Sequence, residues 1–570
     1  MPEPFTPPWR EAAPPPGSWR ALFKWGDPHQ FKHPGPRLYR MLKAAFGLGD
    51  DDFRTPSLEG LEPAAAPRPS GLAPGARSDL EAMLGPENVR TDDQARLGAA
   101  CGKGMLDLLR LRRGIAPRLP DAVLHPRDRH DLVRIVAYCS GAGIAMVPRG
   151  GATSVTRGTE CPAGGVSLDL RTHMDRILAF NAACQTVTVQ PGRYGPALER
   201  VLERAPELFG AAHRYTCGHF PQSFQFSTVG GWAATRGAGQ NSTYFGKIED
   251  LVLAQEMVTP AGVLRTGAFP AAATGPDTDQ LLLGSEGAFG VLSELTLRVF
   301  RRTAEPRRFS YLLPDWAAAL GAGREILQDQ AGQPSLFRLS DPEETGLLLA
   351  THGLDHPLAA ALLNRLGLRP GSRCLLLGST EGEPGFARNL ARRIGRICRR
   401  AGALPAGSLP VRAWERGRFL DPYLRDDLLD LGIRVDTLEC AAGWDALARV
   451  RLAVRAHCAA RPRTLCLTHL SHGYAQGASL YFTFVTAPEA EAEPGPDPGA
   501  GTRAFQAGIL ELLVAQGAAL SHHHGIGRMA APFMEAHLGP VQMDLFRAIK
   551  HQLDPQNLMN PGGTLGLDRP

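Results

Sequence analysis

The chain runs from an apolar stretch, Ile144-Ala145-Met146-Val147-Pro148, straight into Arg149-Gly150-Gly151-Ala152-Thr153-Ser154. Such a run bounded by glycine reads as a buried strand ending in a turn. Small residues there let backbone N–H groups approach an anionic ligand closely, and Thr153 and Ser154 add hydroxyl donors. Alone, a GGATS turn is more often a tight turn than a phosphate cradle. The spacing is neither GxGxxG nor GxxxxGK[ST], which disfavours a Rossmann turn and a P-loop. Two later stretches share its character. Gly218-His219-Phe220-Pro221-Gln222-Ser223-Phe224-Gln225-Phe226-Ser227-Thr228-Val229-Gly230-Gly231-Trp232 carries small and hydroxyl-bearing residues able to track a long extended ligand. Gly284-Ser285-Glu286-Gly287-Ala288-Phe289-Gly290-Val291 places another glycine turn ahead of a strand.

With 570 residues the chain can build at least two cores, since one core stops growing at roughly 250–300 residues. A net charge of +5, with basic residues spread along the chain, argues against a nucleic-acid partner. Ten cysteines without a CxxC pair, and no secretory h-region, point to free thiols in a reducing cytoplasm. No run of about 18 apolar residues occurs, so no transmembrane helix is expected and any membrane contact is peripheral. Residues 1–115 read as an N-terminal extension, partly Pro-rich and irregular, around one helical candidate, PRLYRMLKAAFGLG. Regular patterning, with Leu132, Ile135 and Val136 at helical spacing and several strand candidates, marks a first domain over 116–302. Over 303–535 strands alternate with Arg-rich helices such as GFARNLARRIGRICRRAG, interrupted by a low-complexity, flexible loop at 487–501. Residues 536–570 are assigned to a segment returning to the first domain.

PRGGATSV, STVGGWAATRGAGQ, YFGKIEDLV, VTPAG, TGPD and GSEGAFGV, in this order, resemble the FAD-binding domain of the vanillyl-alcohol oxidase family. The resemblance implies an α+β chain: a two-lobed FAD-binding domain roofed by an α+β cap. It places the pyrophosphate along the first glycine turn and the isoalloxazine against a substrate cavity. Cofactor contacts are implied for Pro148, Arg149, Gly150, Gly151, Ala152, Thr153, Ser154, Gln222, Ser223, Ser227, Thr228, Gly230, Gly231, Thr235, Arg236, Glu286, Gly287 and Val291. Ala152 stands where a third glycine is common. No histidine or cysteine matches a flavin-attachment position, so FAD is expected to be non-covalent.

Within that family YTCGHFPQSFQFSTVGGW, FRLSD, LRDDLLDLG, GYAQGASLYFTF, LSHHHGIGR and LDPQNLMNPG resemble the alkylglycerone-phosphate synthases, over roughly Trp25 to Gly562. Gln222 replaces their usual aspartate. Those enzymes exchange the acyl group of acyl-dihydroxyacetone phosphate for a fatty alcohol, with no net redox change, through an adduct at flavin N5. The resemblance therefore implies lipid-like substrates, a homodimer, and a cytoplasmic protein at most peripheral to the inner face of the membrane. An FAD-linked oxidoreductase of the same fold, acting on D-lactate or another 2-hydroxy acid, is the alternative; a flavin-fold protein that only binds ligand is the third reading.

Strand alternation in SLYFTF puts Tyr481 and Thr483 on one face and Phe482 and Phe484 on the other. A strand tyrosine is usually a packing residue; the resemblance makes Tyr481 the base that takes a proton from the substrate carbon. A phenol with a pKa near 10 needs neighbouring positive charge for this, and the resemblance assigns that help to His522, His523 and His524. Arg425 reads alone as a helix-face arginine with local ion pairs, and by resemblance as a phosphate fork. Arg338, flanked by apolar residues, needs Asp341 or an anionic ligand as partner. Histidines adjacent on a strand point to opposite faces, which separates His523 from His522 and His524. With His469 and His472 the latter two could bind a metal, but proton carriage is the preferred reading and no metal is expected. Phe220, Phe224, Phe226 and Trp232 are candidate cavity-lining residues.

Overall fold

The computed structural model describes residues 19–53, 62–161, 164–303, 305–351, 357–487, 499–562 and 564–568. The first sheet contains β1 (Val89–Arg90), β2 (Ala122–Leu124), β3 (Met146–Arg149) and β4 (Val166–Asp169), in the order β1-β2-β4-β3. β2 and β3 run parallel to β4. A parallel pair needs a crossover, and the helix Arg129–Ala142 supplies it between β2 and β3. Asp128 starts that helix by accepting the N–H groups of His130 and Asp131, and Gly143 at φ 67° ends it. Its Leu132, Ile135, Val136 and Cys139 join Leu124, Met146 and Leu168 in one core.

The second sheet is antiparallel: β5 (Ile177–Asn181), β6 (Thr186–Val189), β8 (Val252–Thr259), β9 (Gly262–Arg265) and β10 (Val291–Arg298), ordered β5-β6-β10-β8-β9. Short strands β7 (Tyr215–Thr216) and β11 (Phe300–Arg301) pair beside it. The two sheets form the two lobes of the first domain. Above them stands a cap sheet of seven antiparallel strands: β12 (Arg307–Leu313), β13 (Leu336–Ser340), β14 (Cys374–Thr380), β15 (Leu404–Pro405), β16 (Arg434–Gly443), β17 (Thr464–Gly473) and β18 (Gly477–Thr486). Their order is β15-β12-β14-β13-β17-β18-β16. The expected α+β architecture of two lobes and a cap is the one observed.

The N-terminal boundary differs from expectation. The helix Pro74–Leu84 buries Leu80 and Leu84 completely in the core of the first sheet, and β1 pairs with β2. The first lobe therefore begins well before residue 116. A two-residue strand among prolines and alanines leaves no periodicity to read. The expected helix further upstream, Pro36–Phe46, packs Tyr39, Leu42 and Phe46 on Leu428, Leu431 and Ile433 of the cap. At the other end Met146 bridges to Met559, and Lys550 donates to the carbonyls of Ala288 and Met559. Of the expected loop at 487–501, residues 488–498 lie outside the described residues. Among those described, no helix is long and apolar enough to cross a membrane.

The turn after β3 crosses the segment Phe226–Thr228 at backbone contact. A Cβ on Gly151 would collide with the carbonyl oxygen of Phe226, and one on Gly150 with Thr228 Oγ1. Gly141, by contrast, sits in the helix Arg129–Ala142 with open space around it. Gly151→Ala should destabilise by about 1–3 kcal/mol, the usual cost of forced overpacking. Gly141→Ala should be neutral or stabilising by up to about 1 kcal/mol. Thermal unfolding of the two variants checks this; equal midpoints would mean the crossing is not tight.

Candidate active site

A cavity of about 970 Å³ lies between the lobes and the inner face of the cap sheet. Its floor is the turn after β3. The backbone N–H groups of Gly151, Ala152, Thr153 and Ser154 have no protein acceptor among the described residues, which leaves a concave row of donors suited to a phosphate. Ala152 holds φ 50°, a left-handed conformation in which its methyl is carried at some strain. The second stretch closes over this turn. Thr228 caps the helix Val229–Ala234 by accepting from Gly231 N, and Ser227 Oγ accepts from Trp232 Nε1 at 2.8 Å. Pro148, Gly150, Gly151, Ala152, Thr153 and Ser154 line the cavity, as do Gln222, Ser223, Ser227, Thr228, Gly230, Gly231, Thr235 and Gly287. Two close glycines, free N–H donors and hydroxyls along an elongated hollow fit the pyrophosphate of FAD.

Four of the expected cofactor contacts are otherwise engaged. Arg149 donates to Asp169 (2.8 Å) and to the Gly98 carbonyl (2.6 Å), a buried strut within the first lobe. Arg236 points away to Gln280 and Glu249. Val291 is fully buried in the core beside Val258. Glu286 faces the cavity, but its carboxylate accepts the N–H groups of Ile526 (2.6 Å) and Gly527 (2.9 Å) and so braces the loop after the histidines. A charged side chain near a glycine turn looks the same in sequence whether it meets ligand or protein. Of the four candidate aromatics only Trp232 lines the cavity; Phe224 belongs to the core and Phe226 packs edge-on against Trp25.

The cap contributes the polar wall. Tyr481 on β18 lies directly between His469 of β17 and Glu439 of β16 in the sheet register. Thr483 and Val485 share its cavity-facing side while Phe482 and Phe484 enter the core, as alternation requires. The Tyr481 ring stacks on His469 at 4.9 Å and meets His523 and His524 at 6.0 and 5.5 Å. Burial pushes the phenol up to about 12, a hydrogen bond with Thr437 opposing it.

Residues 521–526 form a loop rather than a strand, and this changes the histidine geometry. His522 and His523 converge, their Nδ1 atoms 3.0 Å apart, and His472 joins them, the three within 4.8 Å. A bulge in β17 at His472, with φ 50°, aims that imidazole into the group. His522 Nε2 continues the chain of contacts to the Tyr474 hydroxyl at 2.8 Å. Burial holds all of these imidazoles below their ordinary value, His472 at about 3. They are neutral at pH 7, so the expected positive charge beside Tyr481 is not there. What the cluster offers is proton acceptors.

The arginines also separate. Arg338 Nη2 donates to Glu344 at 2.7 Å and touches His469 Nδ1 at 3.0 Å, while its buried Nε has no partner among the described residues. Asp341, the partner considered for it, instead binds Arg451. In Arg425 all three nitrogens already donate, to Asp426 and to the Lys103 carbonyl. Sequence reasoning missed Glu439, Tyr474 and His219. His219 is fully buried, with no partner for either ring nitrogen among the described residues, against Trp232 at 4.7 Å, and burial lowers it to about 3. Its only signal was a histidine inside a stretch of small residues.

Residues 120–267 match the family model described as FAD binding domain, and residues 305–564 that described as FAD linked oxidases, C-terminal domain. The chain is 30% identical over 508 residues to the alkyldihydroxyacetonephosphate synthase of Trypanosoma brucei brucei, covering 85% of this chain and 80% of the relative. It is 27% identical to that of Dictyostelium discoideum over 94% and 92% of the two chains. A solved structure of an alkyldihydroxyacetonephosphate synthase, 24% identical, superposes with a TM-score of 0.78 over 98% of this chain and 99% of that one. The cofactor is FAD. From its flavin cradle, its tyrosine and histidine wall, and this span of similarity, the chain belongs to the alkyldihydroxyacetonephosphate synthase family.

Proposed function

We propose that this protein replaces the acyl group of acyl-dihydroxyacetone phosphate by a fatty alcohol, using non-covalently bound FAD. The observation that carries the reading is Tyr481, set between His469 and the loop histidines and facing the glycine cradle across one cavity. FAD, when bound, supplies the electron sink that holds the substrate carbon during exchange. The protein's own groups do the rest. Tyr481 carries the proton from the substrate carbon. Because its phenol is protonated at neutral pH, its own proton must first leave, and neutral His523 and His524 beside it are the acceptors.

We assign the phosphate to Arg338 and Arg425, which line the same wall of the cavity. Leu38, Met41, Leu42 and Ala45 of the helix Pro36–Phe46, with Val435 and Val485, form an apolar end of the cavity suited to alkyl chains. With no membrane-crossing helix among the described residues, peripheral contact would deliver such substrates.

A second reading, an FAD-linked oxidoreductase for a 2-hydroxy acid, is favoured by one observation, the approach of His472, His522 and His523 to within 4.8 Å of one another. A zinc-class ion could sit there. We read the three as a hydrogen-bonded chain instead, because His522 Nδ1 already contacts His523 Nδ1 and its Nε2 contacts Tyr474.

Tyr481→Phe should fold, release FAD on denaturation as the parent does, and lose at least about a hundredfold in turnover, the lower scale of general-base work. Exchange of the substrate's C1 hydrogen with solvent should fall in parallel; normal exchange would make the tyrosine structural. Arg338→Ala should raise KM for the phosphate-bearing substrate about tenfold or more, the worth of a charge-assisted bond, and should also lower the unfolding midpoint, because it strips the ion-pair partner from buried Glu344. Arg425→Ala should likewise lower the unfolding midpoint, because it strips a partner from fully buried Asp426. Extensive chelation should leave transfer activity unchanged and metal analysis should find less than one zinc per chain; stoichiometric zinc whose removal abolishes turnover would favour the oxidoreductase.

A further inference from the structure

Three consecutive backbone N–H groups, of His522, His523 and His524, end on one carboxylate. Glu439 Oε2 accepts from His522 N at 2.6 Å, and Oε1 from His523 N at 3.1 Å and His524 N at 3.0 Å. Ser521 Oγ adds a fourth donor at 2.6 Å. The residue is 2% exposed and stands opposite Tyr481 in the sheet register, so both side chains rise from the same face. The loop above it is tied to the same strand by a bridge between Ala441 and Ala519. The imidazoles themselves stay clear of hydrogen-bond contact: His523 Nδ1 and His524 Nδ1 each lie 3.7 Å from the carboxylate.

Merely anchoring a loop does not need a buried charge, and burying one is costly unless it is paired and hydrogen-bonded. Here four donors satisfy it. Burial raises this carboxyl; charge on the histidines above it, when they are protonated, and at all times the hydrogen bonds from Ser521 and the loop backbone act to lower it, so the four donors favour its ionised form. Its charge then acts on two imidazoles that have no hydrogen bond to it, through a dry interior where screening is weak. The other charged or titratable groups around the cluster are Lys247, paired with Glu249, Arg338 and Glu344 at His469, Asp421 and Asp436 toward Tyr481, Asp250 toward Tyr474, the two phenols, and His469 and His472. Glu439 is the carboxylate to which the N–H groups of the histidine loop donate.

We propose that Glu439 is the positioning residue of the proton relay: it fixes the backbone of Ser521–His524 and supplies the negative charge that stabilises the imidazolium formed when Tyr481 loses its proton. This rests on the relay proposed above. In the step, the phenol O–H breaks, an N–H forms on the His523 or His524 ring, and the new positive charge is offset by Glu439, which stays unprotonated. On return of the proton the charge disappears, and Glu439 is unchanged.

The test uses FAD-loaded protein, acyl-dihydroxyacetone phosphate and a long-chain alcohol, with turnover followed against pH. The relay needs a neutral imidazole, so activity rises with pH through the histidine value. The Glu439 charge favours the protonated ring and raises that value. Glu439→Gln should therefore move the acid limb to lower pH by about one unit or more, the usual effect of one opposite charge at this range. The plateau kcat should fall about tenfold or more because the base is weaker, with KM for the phosphate substrate within about twofold. Glu439→Asp keeps the charge and should keep the limb near its parent position.

Should Glu439→Gln fail to retain FAD, Ser521→Ala reads the same field with the opposite sign. Removing a donor leaves more of the carboxylate charge unsatisfied, and the limb moves to higher pH. A limb unmoved in Glu439→Gln, or in Ser521→Ala where the former does not fold, overturns the proposal. So do Gln and Asp variants with the same profile. Failure of the underlying relay shows separately, as a fully active Tyr481→Phe.

Discussion

The collision-limited crossing of two backbone segments governs the site. The turn after β3 can lie under Phe226–Thr228 only because residues 150 and 151 lack side chains. That contact fixes the first lobe against the stretch that opens the helix Val229–Ala234, and it leaves N–H donors of 151–154 pointing into the cavity rather than into a neighbouring strand. A phosphate cradle of this kind is a by-product of packing: the chain is held so close to itself that its donors have nowhere else to go. The left-handed Ala152 shows the turn over-determined enough to hold a strained residue.

The cap wall follows a different logic. Antiparallel register puts Glu439, Tyr481 and His469 in one row across three strands, so their relative placement is set by backbone hydrogen bonds rather than by flexible loops. The bulge at His472 adds a fourth group from an edge of that row. Charges on this wall are paired before substrate arrives: Arg338 with Glu344, Arg425 with Asp426. For the proposed phosphate substrate, these arginines are already oriented, at less ordering cost than free side chains would demand.

How much of this could be read in the sequence depended on whether a feature was local. The glycine turns, the alternation around Tyr481 and the cap as a separate α+β unit are written in adjacent residues, and they stand as expected. The first lobe's upstream helix and the two-residue β1 were hidden because their partners lie more than thirty residues away, with no period of their own. Arg236 and Val291 do not line the cavity, and the side chains of Arg149 and Glu286, which do, bind protein groups, for the same reason: a motif fixes where the backbone goes, not which way a neighbouring side chain turns. The histidine loop misled through its assumed conformation. On a strand, His522 and His523 would diverge; in the loop built by Glu439 they meet.

Glu439 itself was illegible because one glutamate in a strand of mixed residues carries no pattern. Yet its position explains a cost that the histidines otherwise leave unaccounted for. Burial lowers every imidazole in the cluster, and a base lowered that far would be a poor proton acceptor. The same burial raises the Tyr481 phenol. Donor and acceptor are thus both pushed toward neutrality, and proton transfer between them would create two opposite charges in a dry cavity. Burial opposes that separation, whereas a fixed carboxylate beneath the acceptor offsets half of it. The other half, the phenolate, faces the cavity, where only the substrate and its electron sink can use it. In the proposed relay, phenol and imidazoles stay neutral until a substrate fills the cavity, so the phenol gives up its own proton only when there is a substrate carbon for the phenolate to deprotonate.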